Sequence, residues 1–413
     1  MELTSDEQAW IDGRAGRAHQ LAMQLMVAAA ESSGATTFVP IEFAHINSCH
    51  WSGRLSVDFA EFLLAEGASL AVPTHTNASL IDCSQPQLRP AASSPDAVQG
   101  AARLMEIYEE LGCSSMWSCA PYHHAEGRPS FGTHIAGSES NAVSFFNSVL
   151  GARTNKYGDL LDVSAAITGR VPFVGLHTDE GRLATEVFRV DVSDSIRADP
   201  SLPHLLGIII GQEAANAVPV FDGIGSLTED ELKAIAAAGA TSGAVGMFHV
   251  VGVTPEAPSL RDALGGRRPV RDGVIDDARV ASARAQLAQR TDGHVDAVCL
   301  GTPHFSIDEF AAVIDGLNGR TIHPDVSCLI TTSRAVDAEL GLRGWRDTLA
   351  NAGVTIVLDT CTYYTPVATG VEGVVMTNSA KWAYYAPGIL GVDIAFGSLD
   401  ACVESAIAGK VLA

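Results

Sequence analysis

Two cysteines of this chain stand where a thiolate could bind iron or another soft metal. Cys361, in VLDTCTYYTP, follows a predicted strand, and Cys119, in WSCAPYHH, lies in a long loop just before a proline. Soft metals and iron–sulfur clusters prefer thiolate ligands. The eight cysteines include no CxxC pair, so a shared site has to be assembled from distant segments. A buried structural thiol is the alternative interpretation for each.

Histidines could complete a mononuclear site with these thiolates. His304 lies in CLGTPHFS between a predicted strand and a predicted helix, and His134 lies in FGTHIAGSES. Imidazole is a ligand for zinc, copper and iron. One interpretation is therefore a mononuclear metal enzyme that uses Cys119, Cys361 and either His304 or His134. A hydrogen-bonded turn residue is the simpler interpretation for most of the histidines.

Three charged residues could bind or activate an acidic substrate. Lys381, in TNSAKWAYYAPG, lies in the first turn of a predicted helix, where a cation opposes the helix dipole, so an anionic ligand nearby would explain it. Glu139 is placed favourably at the start of another helix. Arg153, in GARTN, could clamp a carboxylate. The sequence contains no GxSxG, P-loop or HExxH pattern, and no GxGxxG follows a strand, which excludes several common enzyme classes.

Strands and helices alternate from residue 295 onward and would position the later candidates. The predicted strands are 295–300, 327–332, 354–359, 372–376 and 392–396, and the predicted helices are 306–316, 335–351, 379–386 and one from Ser398. Such alternation implies parallel strands covered by helices, with ligands bound beyond the carboxyl ends of the strands. The loops near 302, 332–334, 361 and 377–379 should therefore converge at one edge of a sheet.

The earlier part of the chain predicts the same α/β class with less regular spacing. Strands are predicted at 37–46 and 68–72, and the apolar run LLGIIIGQ (205–212) as a buried strand; helices are predicted at 94–111, 140–150 and 228–238. The segment 251–273, rich in Pro, Gly and Arg, is interpreted as an excursion or linker. Possible lobes are about 1–200, 201–290 and 291–413.

Composition sets limits on the partners of this protein. The 413 residues are 47% hydrophobic and 18% charged, which is typical of a globular chain, and the net charge is −22. An acidic surface argues against nucleic acid and anionic membranes as partners. No apolar run reaches the ~20 residues of a membrane helix, and the N-terminus lacks a signal-peptide core, so a cytoplasmic location is expected.

Nine segments, in chain order, resemble the large catalytic subunit of the aconitase X family. They are AHIN (44–47), PTHTN (73–77), CAPYHHAEGRPSFGTHIAGSESNAVSFFNSVLGARTN (119–155), ITGRVPFVGLH (167–177), LGTPHFS (300–306), TTSRAV (331–336), LDTC (358–361), TNSAKWAYYAPG (377–388) and FGSLDACVESAIAGK (396–410). The resemblance spans nearly the whole chain. It implies an aconitase-like, multi-lobed α/β fold of parallel and mixed sheets flanked by helices, with ligand-binding loops at strand ends.

The resemblance also implies roles for particular residues. Cluster thiolates would fall at Cys119 and Cys361, and the third ligand position falls at Thr302, where many family members have cysteine. Substrate contacts would fall at Ser48, Cys49, His50, Asn77, Ala78, Glu139, Ser140 and Lys381, to which Arg153 is added as the carboxylate clamp. Lys381 or Arg153 would bind the carboxylate, and the general base is open among Cys49, His50 and Glu139.

The implied reaction is the dehydration of a small hydroxy acid on an iron–sulfur cluster that acts as a Lewis acid. The Ser48-Cys49-His50 segment and Thr302 favour the branch that converts cis-3-hydroxy-L-proline to 1-pyrroline-2-carboxylate, a step of hydroxyproline catabolism, with a 2Fe-2S rather than a 4Fe-4S cluster. The family's small swivel domain is absent from this chain, which implies a separate small subunit and a heterodimer. The alternatives are a phosphomevalonate dehydratase large subunit, or a cluster-free binding or regulatory protein on the same scaffold.

Overall fold

A computed structural model describes residues 1–214, 217–364 and 367–412. Its strands are β1 (Phe38–Pro40), β2 (Phe43–Ile46), β3 (Thr74–Thr76), β4 (Ile135–Gly137), β5 (Arg170–Pro172), β6 (Glu186–Val190), β7 (Pro219–Asp222), β8 (His249–Val250), β9 (Arg271–Ile275), β10 (Ala297–Phe305), β11 (Ser327–Thr332), β12 (Val354–Leu358), β13 (Val374–Thr377) and β14 (Asp393–Phe396). Its α-helices are α1 (Ser5–Ile11), α2 (Arg17–Ser33), α3 (Arg54–Ala65), α4 (Pro95–Glu110), α5 (Ser140–Ser148), α6 (Leu161–Thr168), α7 (Asp194–Arg197), α8 (Leu202–Ala214), α9 (Glu229–Gly243), α10 (Leu260–Ala263), α11 (Asp277–Leu287), α12 (Ile307–Leu317), α13 (Arg334–Leu342), α14 (Trp345–Ala352), α15 (Ala380–Leu390) and α16 (Leu399–Ala408).

The first part of the chain is built around a three-stranded parallel sheet in the order β3-β2-β4. A separate antiparallel pair joins β1 to β5. The apolar faces of α2, α3, α4 and α6 pack into one core with the inward face of β2. The strand predicted at 68–72 is wrong, because those residues lie outside the strands and β3 begins at Thr74. Helix α4 begins as predicted, with the Ser94 hydroxyl accepting the Ala97 N–H.

The second part contains a parallel sheet in the order β8-β7-β6-β9. The prediction of a strand at 205–212 is wrong: the run lies in α8, which is buried along most of its length. Helices α8 and α9 cross closely through glycines, because a Cβ placed on Gly243 would lie 1.5 Å from the Gly211 carbonyl oxygen. A helix buried on all sides lacks the amphipathic pattern that distinguishes it from a buried strand.

The interpretation of 251–273 as a linker is also wrong in part. That stretch holds the short helix α10 and the start of β9, which pairs in register with β6. Most of β9 is exposed or half-buried, and Val274 is 48% exposed. The strand was not predicted because its residues include Arg and Gly and form no apolar run.

The third part is a five-stranded parallel sheet in the order β12-β11-β10-β13-β14, covered by helices. All five predicted strands are confirmed, but β10 runs to Phe305, so the loop predicted near 302 lies within that strand, where its pairing with β11 is irregular. The predicted helix 335–351 is divided into α13 and α14 at Gly344, which has a left-handed φ of 71°. The sheets flanked by helices confirm the predicted α/β class. No helix in the described ranges is long and apolar enough to span a bilayer.

Loops at the carboxyl ends of these strands do meet, as predicted. The Ser379 hydroxyl donates to the Thr302 carbonyl, and Arg334 pairs with Asp359 through two hydrogen bonds of 2.7 and 2.8 Å. The Trp382 indole N–H donates to Thr362 at 3.0 Å. These contacts fix the edge of the sheet against which the first part of the chain is docked.

Candidate active site

Cys119 and Cys361 meet between the first and third parts of the fold. Their Sγ atoms are 3.8 Å apart, and the His304 backbone N–H donates to the Cys119 sulfur at 3.3 Å. One ligand atom from each of Cys119, Cys361 and His304 lies within 4.8 Å of the others, and all three residues are buried. The structure thus brings together the two thiols that the sequence singled out.

The surroundings of the two thiols differ in their effect on ionisation. Burial alone raises the pKa of a thiol, but the hydrogen bond from Cys361 and the nearby His304 and Lys381 groups outweigh it and lower the pKa of Cys119. The same contact and burial raise the pKa of Cys361. Cys119 is therefore the thiol that this environment stabilises as a thiolate, which is the form that ligates metals.

His304 borders the pair from β10, and Thr302 lies two residues before it on the same strand. The His304 Nε2 lies 2.8 Å from the Thr360 carbonyl oxygen and therefore donates, so Nδ1, 3.1 Å from the Ser118 hydroxyl, accepts. The buried Thr302 and Thr360 hydroxyls have no hydrogen-bond partner among the residues that the structure describes. The two thiols and the imidazole form a donor set that fits iron or an iron–sulfur cluster.

Lys381 and Glu139 form a buried ion pair beside the thiols. The Lys381 Nζ lies 2.6 Å from a Glu139 carboxylate oxygen, and each side chain is 6% exposed. Ser140 is part of the group, since its hydroxyl lies 3.5 Å from Nζ and donates to Glu139 at 3.3 Å. Glu139 is also the N-cap of α5 and accepts the Ala142 N–H at 2.6 Å. The cation that opposes the dipole of α15 is thus offset by a carboxylate from another helix.

This pair is held in the charged form. Burial opposes ionisation of both groups, but the Lys381 ammonium, the Ala142 N–H and His45 together lower the pKa of Glu139. Glu139 in turn is the main reason that the pKa of Lys381 is raised despite burial. A carboxylate with a lowered pKa is a weak proton acceptor, and a permanently charged ammonium is a good anchor for a carboxylate.

The predicted segment 48–50 forms a tight turn after β2. The His50 backbone N–H donates to the Asn47 carbonyl at 2.8 Å, and the His50 ring Nδ1 donates to the Ala78 carbonyl at 3.2 Å. That bond fixes the tautomer in which Nε2 carries the free lone pair. Burial lowers the pKa of His50, which keeps the ring neutral. The neighbouring Cys49 thiol is fully buried, donates to the Ile46 and Asn77 carbonyls, and has a pKa raised mainly by burial.

Ser48 and Asn77 make mainly structural contacts. The Ser48 hydroxyl donates to the Asp162 carboxylate and accepts the Leu160 N–H at 2.8 Å. The Asn77 amide donates to the Asn47 side chain at 2.6 Å, while its buried carbonyl oxygen has no partner in the described part of the chain. The Ser48 hydroxyl is therefore occupied, whereas Asn77 has an acceptor to offer a ligand.

The structure does not bring Arg153 or His134 to this group. The Arg153 guanidinium donates to Asp179 at 2.5 Å and to the His177 carbonyl at 3.1 Å. The Nδ1 atoms of His134 and His177 are 3.0 Å apart, so His134 is engaged there rather than with the thiols. Of the two histidines considered for a mononuclear site, His304 is the one at the cysteines.

Sequence analysis did not identify two residues of the site. Asp162, fully buried, binds the turn at 47–50, and Tyr364 packs against His50 with ring centroids 4.7 Å apart. The motif CTYY next to Cys361 could have indicated Tyr364, but Asp162 sits in an ordinary helix start and carries no local signal.

A cleft of about 610 Å³ has neither His50 nor Cys361 in its lining. Its lining includes Trp51, Leu80, Thr362 and Tyr364, which are sequence neighbours of these two residues and of Ala78. The Ser79 N–H donates to the Asp359 carbonyl at 2.7 Å, which joins the two walls.

Family models, individual proteins and a crystal structure match this chain along most of its length. Residues 1–180, 184–285 and 295–408 match the family models described as the aconitase X first, second and third domains. The chain is 39% identical to the cis-3-hydroxy-L-proline dehydratase of Pseudomonas aeruginosa, over 99% of this chain and 70% of that protein. It is 34% identical to the phosphomevalonate dehydratase large subunit of Methanothermobacter thermautotrophicus, over 95% and 96% respectively. The crystal structure of Thermococcus kodakaraensis aconitase X in its holo-form superposes with a TM-score of 0.87 at 28% identity, covering 98% of this chain and 100% of that one.

Proposed function

Since the chain belongs to the aconitase X family and is a carbon–oxygen lyase of the dehydratase type, we propose that it dehydrates cis-3-hydroxy-L-proline to 1-pyrroline-2-carboxylate. Loss of the C2 proton and the C3 hydroxyl gives an enamine, which tautomerises to the cyclic imine. The observation that carries the proposal is the buried Lys381–Glu139 pair next to Cys119 and Cys361.

Lys381 is the proposed anchor of the substrate carboxylate. Its ammonium is charged, buried and pre-positioned by Glu139 and Ser140. A fixed cation at the carboxylate also stabilises the enolate-like charge that develops there as the C2 proton leaves. Glu139 in this scheme orients Lys381, because its lowered pKa makes it a poor base.

His50 is the proposed general base. Its Nδ1–H bond to the Ala78 carbonyl leaves a neutral Nε2 as proton acceptor, and Tyr364 packs against the ring. Cys49, the third candidate, is held as a thiol by two carbonyls and by burial. Among the three, His50 differs in that its Nε2 lone pair is engaged neither by an ion pair, as Glu139 is by Lys381, nor by a bound proton, as in the Cys49 thiol. Its lowered pKa leaves the ring neutral at physiological pH.

An iron–sulfur cluster is the proposed cofactor, held by Cys119 and Cys361. The third position belongs to Thr302, whose hydroxyl is buried and unpartnered in the described residues, with His304 as the neighbouring alternative. When bound, the cluster supplies a Lewis acid for the leaving hydroxyl. We propose a 2Fe-2S rather than a 4Fe-4S cluster because the chain resembles the cis-3-hydroxy-L-proline branch of the family.

The distribution of cations favours a small amino acid over a phosphorylated substrate. Lys381 is the cation beside the two thiols, and Glu139 already neutralises part of its charge. Arg334 is paired with Asp359, and Arg153 lies with Asp179 away from this group. A phosphate group carries about two charges and usually binds several donors. Phosphomevalonate is the second candidate, because the chain covers 96% of a phosphomevalonate dehydratase large subunit.

A small subunit is the proposed partner. The match covers nearly the full length of the large subunits but 70% of the Pseudomonas enzyme. The cleft lined by Tyr364 and Thr362 is the proposed place of contact with that subunit.

The test is anaerobic purification of the chain co-expressed with a small-subunit gene from its own genome, followed by assays with both substrates. Mass spectrometry should show loss of water from cis-3-hydroxy-L-proline and no turnover of phosphomevalonate. Turnover of phosphomevalonate alone would overturn the substrate assignment. A complex that turns over neither compound would overturn the proposed reaction.

Iron and acid-labile sulfide measure the cofactor separately. Cys119→Ser and Cys361→Ser should lose iron and sulfide. Cys328→Ser and Cys402→Ser should keep iron and sulfide, because these two buried cysteines belong to a hydrophobic core that contains neither proposed ligand. Full activity in a complex without iron, or iron retained in both ligand variants, would remove the cluster from the proposal.

A further inference from the structure

We propose that Asp162 is a positioning residue that holds the turn at 47–50, and through it His50, in the geometry required for proton abstraction. The inference rests on the proposed function and extends it to a residue in α6. Asp162 touches neither the thiols nor the Lys381–Glu139 pair in its hydrogen bonds, so any effect on the reaction has to pass through the turn.

The carboxylate of Asp162 accepts four hydrogen bonds. One oxygen receives the backbone N–H groups of Asn47 at 2.6 Å and Ser48 at 3.0 Å. The other receives the Ser48 hydroxyl and the Val163 N–H at 2.6 Å. Three of the four donors come from the turn, which lies 114 residues earlier at Ser48, so the contact is a tertiary clamp rather than a local cap.

Ser48 completes the clamp from the other side. Its hydroxyl donates to Asp162 and accepts the N–H of Leu160, a non-glycine residue in the left-handed region with φ 72°. Such a conformation persists only where surrounding contacts determine it. The turn at 47–50 and the start of α6 therefore fix each other, and the His50 N–H closes the turn on the Asn47 carbonyl.

The clamp buries a carboxylate, which costs free energy of folding. We therefore infer that Asp162 contributes to the reaction and not only to stability. Asp162 is fully buried, and burial raises its pKa to about 6 although Ser48 and the turn N–H groups oppose that shift. A buried carboxylate is expensive, and a neutral side chain of similar shape could pack there at a lower cost. What a neutral side chain lacks is the capacity to accept from four donors at once.

Asp162→Asn is the sharp test, because the amide has nearly the same volume but only one accepting oxygen. Its NH2 group would face either the Asn47 and Ser48 N–H groups or the Val163 N–H, so the clamp opens at one side. We expect kcat on cis-3-hydroxy-L-proline to fall about 10²-fold, since a displacement of about 1 Å at a catalytic group has that effect, with KM changed much less. Ser48→Ala should act in the same direction and be non-additive with Asp162→Asn.

Hydrogen exchange of the full chain gives a readout that does not depend on activity. Exchange in Asp162→Asn should rise roughly tenfold at the amides of 47–50 and stay unchanged across 165–168 of α6. Asp277→Asn is the matched control: Asp277 also accepts a backbone N–H, from Ser193 at 2.8 Å, and lies on the surface of the second part of the chain. It should leave kcat and the exchange of 47–50 unaltered.

Two results would overturn the inference. The first is wild-type kcat and wild-type exchange at 47–50 in Asp162→Asn. The second is faster exchange along the whole of α6, a lower melting temperature and unchanged kcat per folded enzyme, which would make Asp162 a helix-stabilising residue only. If the wild-type complex turns over no cis-3-hydroxy-L-proline, the proposed function fails, and the exchange pattern still decides whether Asp162 holds the turn.

Discussion

Replacing Lys381 by methionine leaves Glu139 as a buried carboxylate without its cation. Methionine matches the length of the lysine stem, so the change removes the charge with little change of volume. Glu139 keeps the Ala142 N–H at 2.6 Å and the N-terminus of α5, but it loses the ammonium 2.6 Å away.

The expected destabilisation follows from these contacts. Removing one partner of a buried ion pair costs about 3–5 kcal/mol, and the remaining cap and helix dipole offset about 1 kcal/mol of it, so we expect about 2–4 kcal/mol at neutral pH. In the double variant Lys381→Met/Glu139→Gln no charge is left buried, and the side-chain amide introduced at position 139 can still accept the Ala142 N–H. The double variant should therefore lie within about 1 kcal/mol of wild type.

The loss should depend on pH in a defined direction. In wild type the pKa of Glu139 is lowered, so its contribution to stability is present above the pKa of the unfolded chain and is lost on acidification. In Lys381→Met burial dominates and raises the pKa of Glu139, so the penalty is present at neutral pH and is relieved as the carboxyl group becomes protonated. The difference between the two proteins should be larger near pH 8 than near pH 5.

Urea unfolding monitored by tryptophan fluorescence measures this difference, because Trp382 is buried next to Lys381 in the same helix turn. Dehydratase activity should be lost in both variants, since the carboxylate anchor is gone in each. A destabilisation of Lys381→Met that is equal at the two pH values, or a double variant less stable than Lys381→Met, would refute the reasoning.

Three further predictions address other parts of the molecule. His50→Gln should lower kcat by about 10²–10⁴-fold with a small change in KM, while His294→Gln, at an exposed position, should not; equal activity of the two variants would exclude His50 as the base. Gly243→Ala should destabilise by about 1–3 kcal/mol or more in urea, because its Cβ meets backbone, whereas Gly158→Ala enters open space; equal effects would contradict the close helix crossing. Thr302→Cys should raise the iron bound per chain, measured by elemental analysis, and unchanged iron would show that position 302 is not at the ligand site.

The sequence predicted the third part of the fold best, because four of its five strands, all except β12, are followed by a helix with a serine N-cap. Ser306 and Glu309 form a capping box, and Ser379 and Ser398 cap α15 and α16. The helix α8 was predicted as a strand because burial on all sides removes the periodicity, although Gly207 and Gly211, four residues apart, were a helical signal. Arg153 was expected near the substrate, and no sequence rule could foresee its pairing with Asp179.

The sequence also indicated some residues of the candidate site but not the contacts between them. Cys361 could be identified from its position after a strand and Cys119 from its place in a long loop before a proline. Lys381 could be identified because a cation at a helix N-terminus breaks a local rule. Glu139 was found at a helix start, but its pairing with Lys381 is a property of two helices that meet only in the folded chain. Asp162 was missed for the same reason, since its partners in the turn lie 114 residues away at Ser48.

The order in which the residues are synthesised on the ribosome determines when the site can form. Cys119 and Cys361 are separated by 242 positions, as are Glu139 and Lys381. At a synthesis rate of about 5–20 residues per second, roughly 12–50 s pass between the emergence of the two members of each pair. During that time Cys119 lacks its partner thiol and Glu139 its counter-ion, so a chain released before residue 361 contains neither pair and one released between 361 and 381 lacks the ion pair. A metal that needs both thiols can therefore bind only after residue 361 has been synthesised and the third part of the fold has docked against the first.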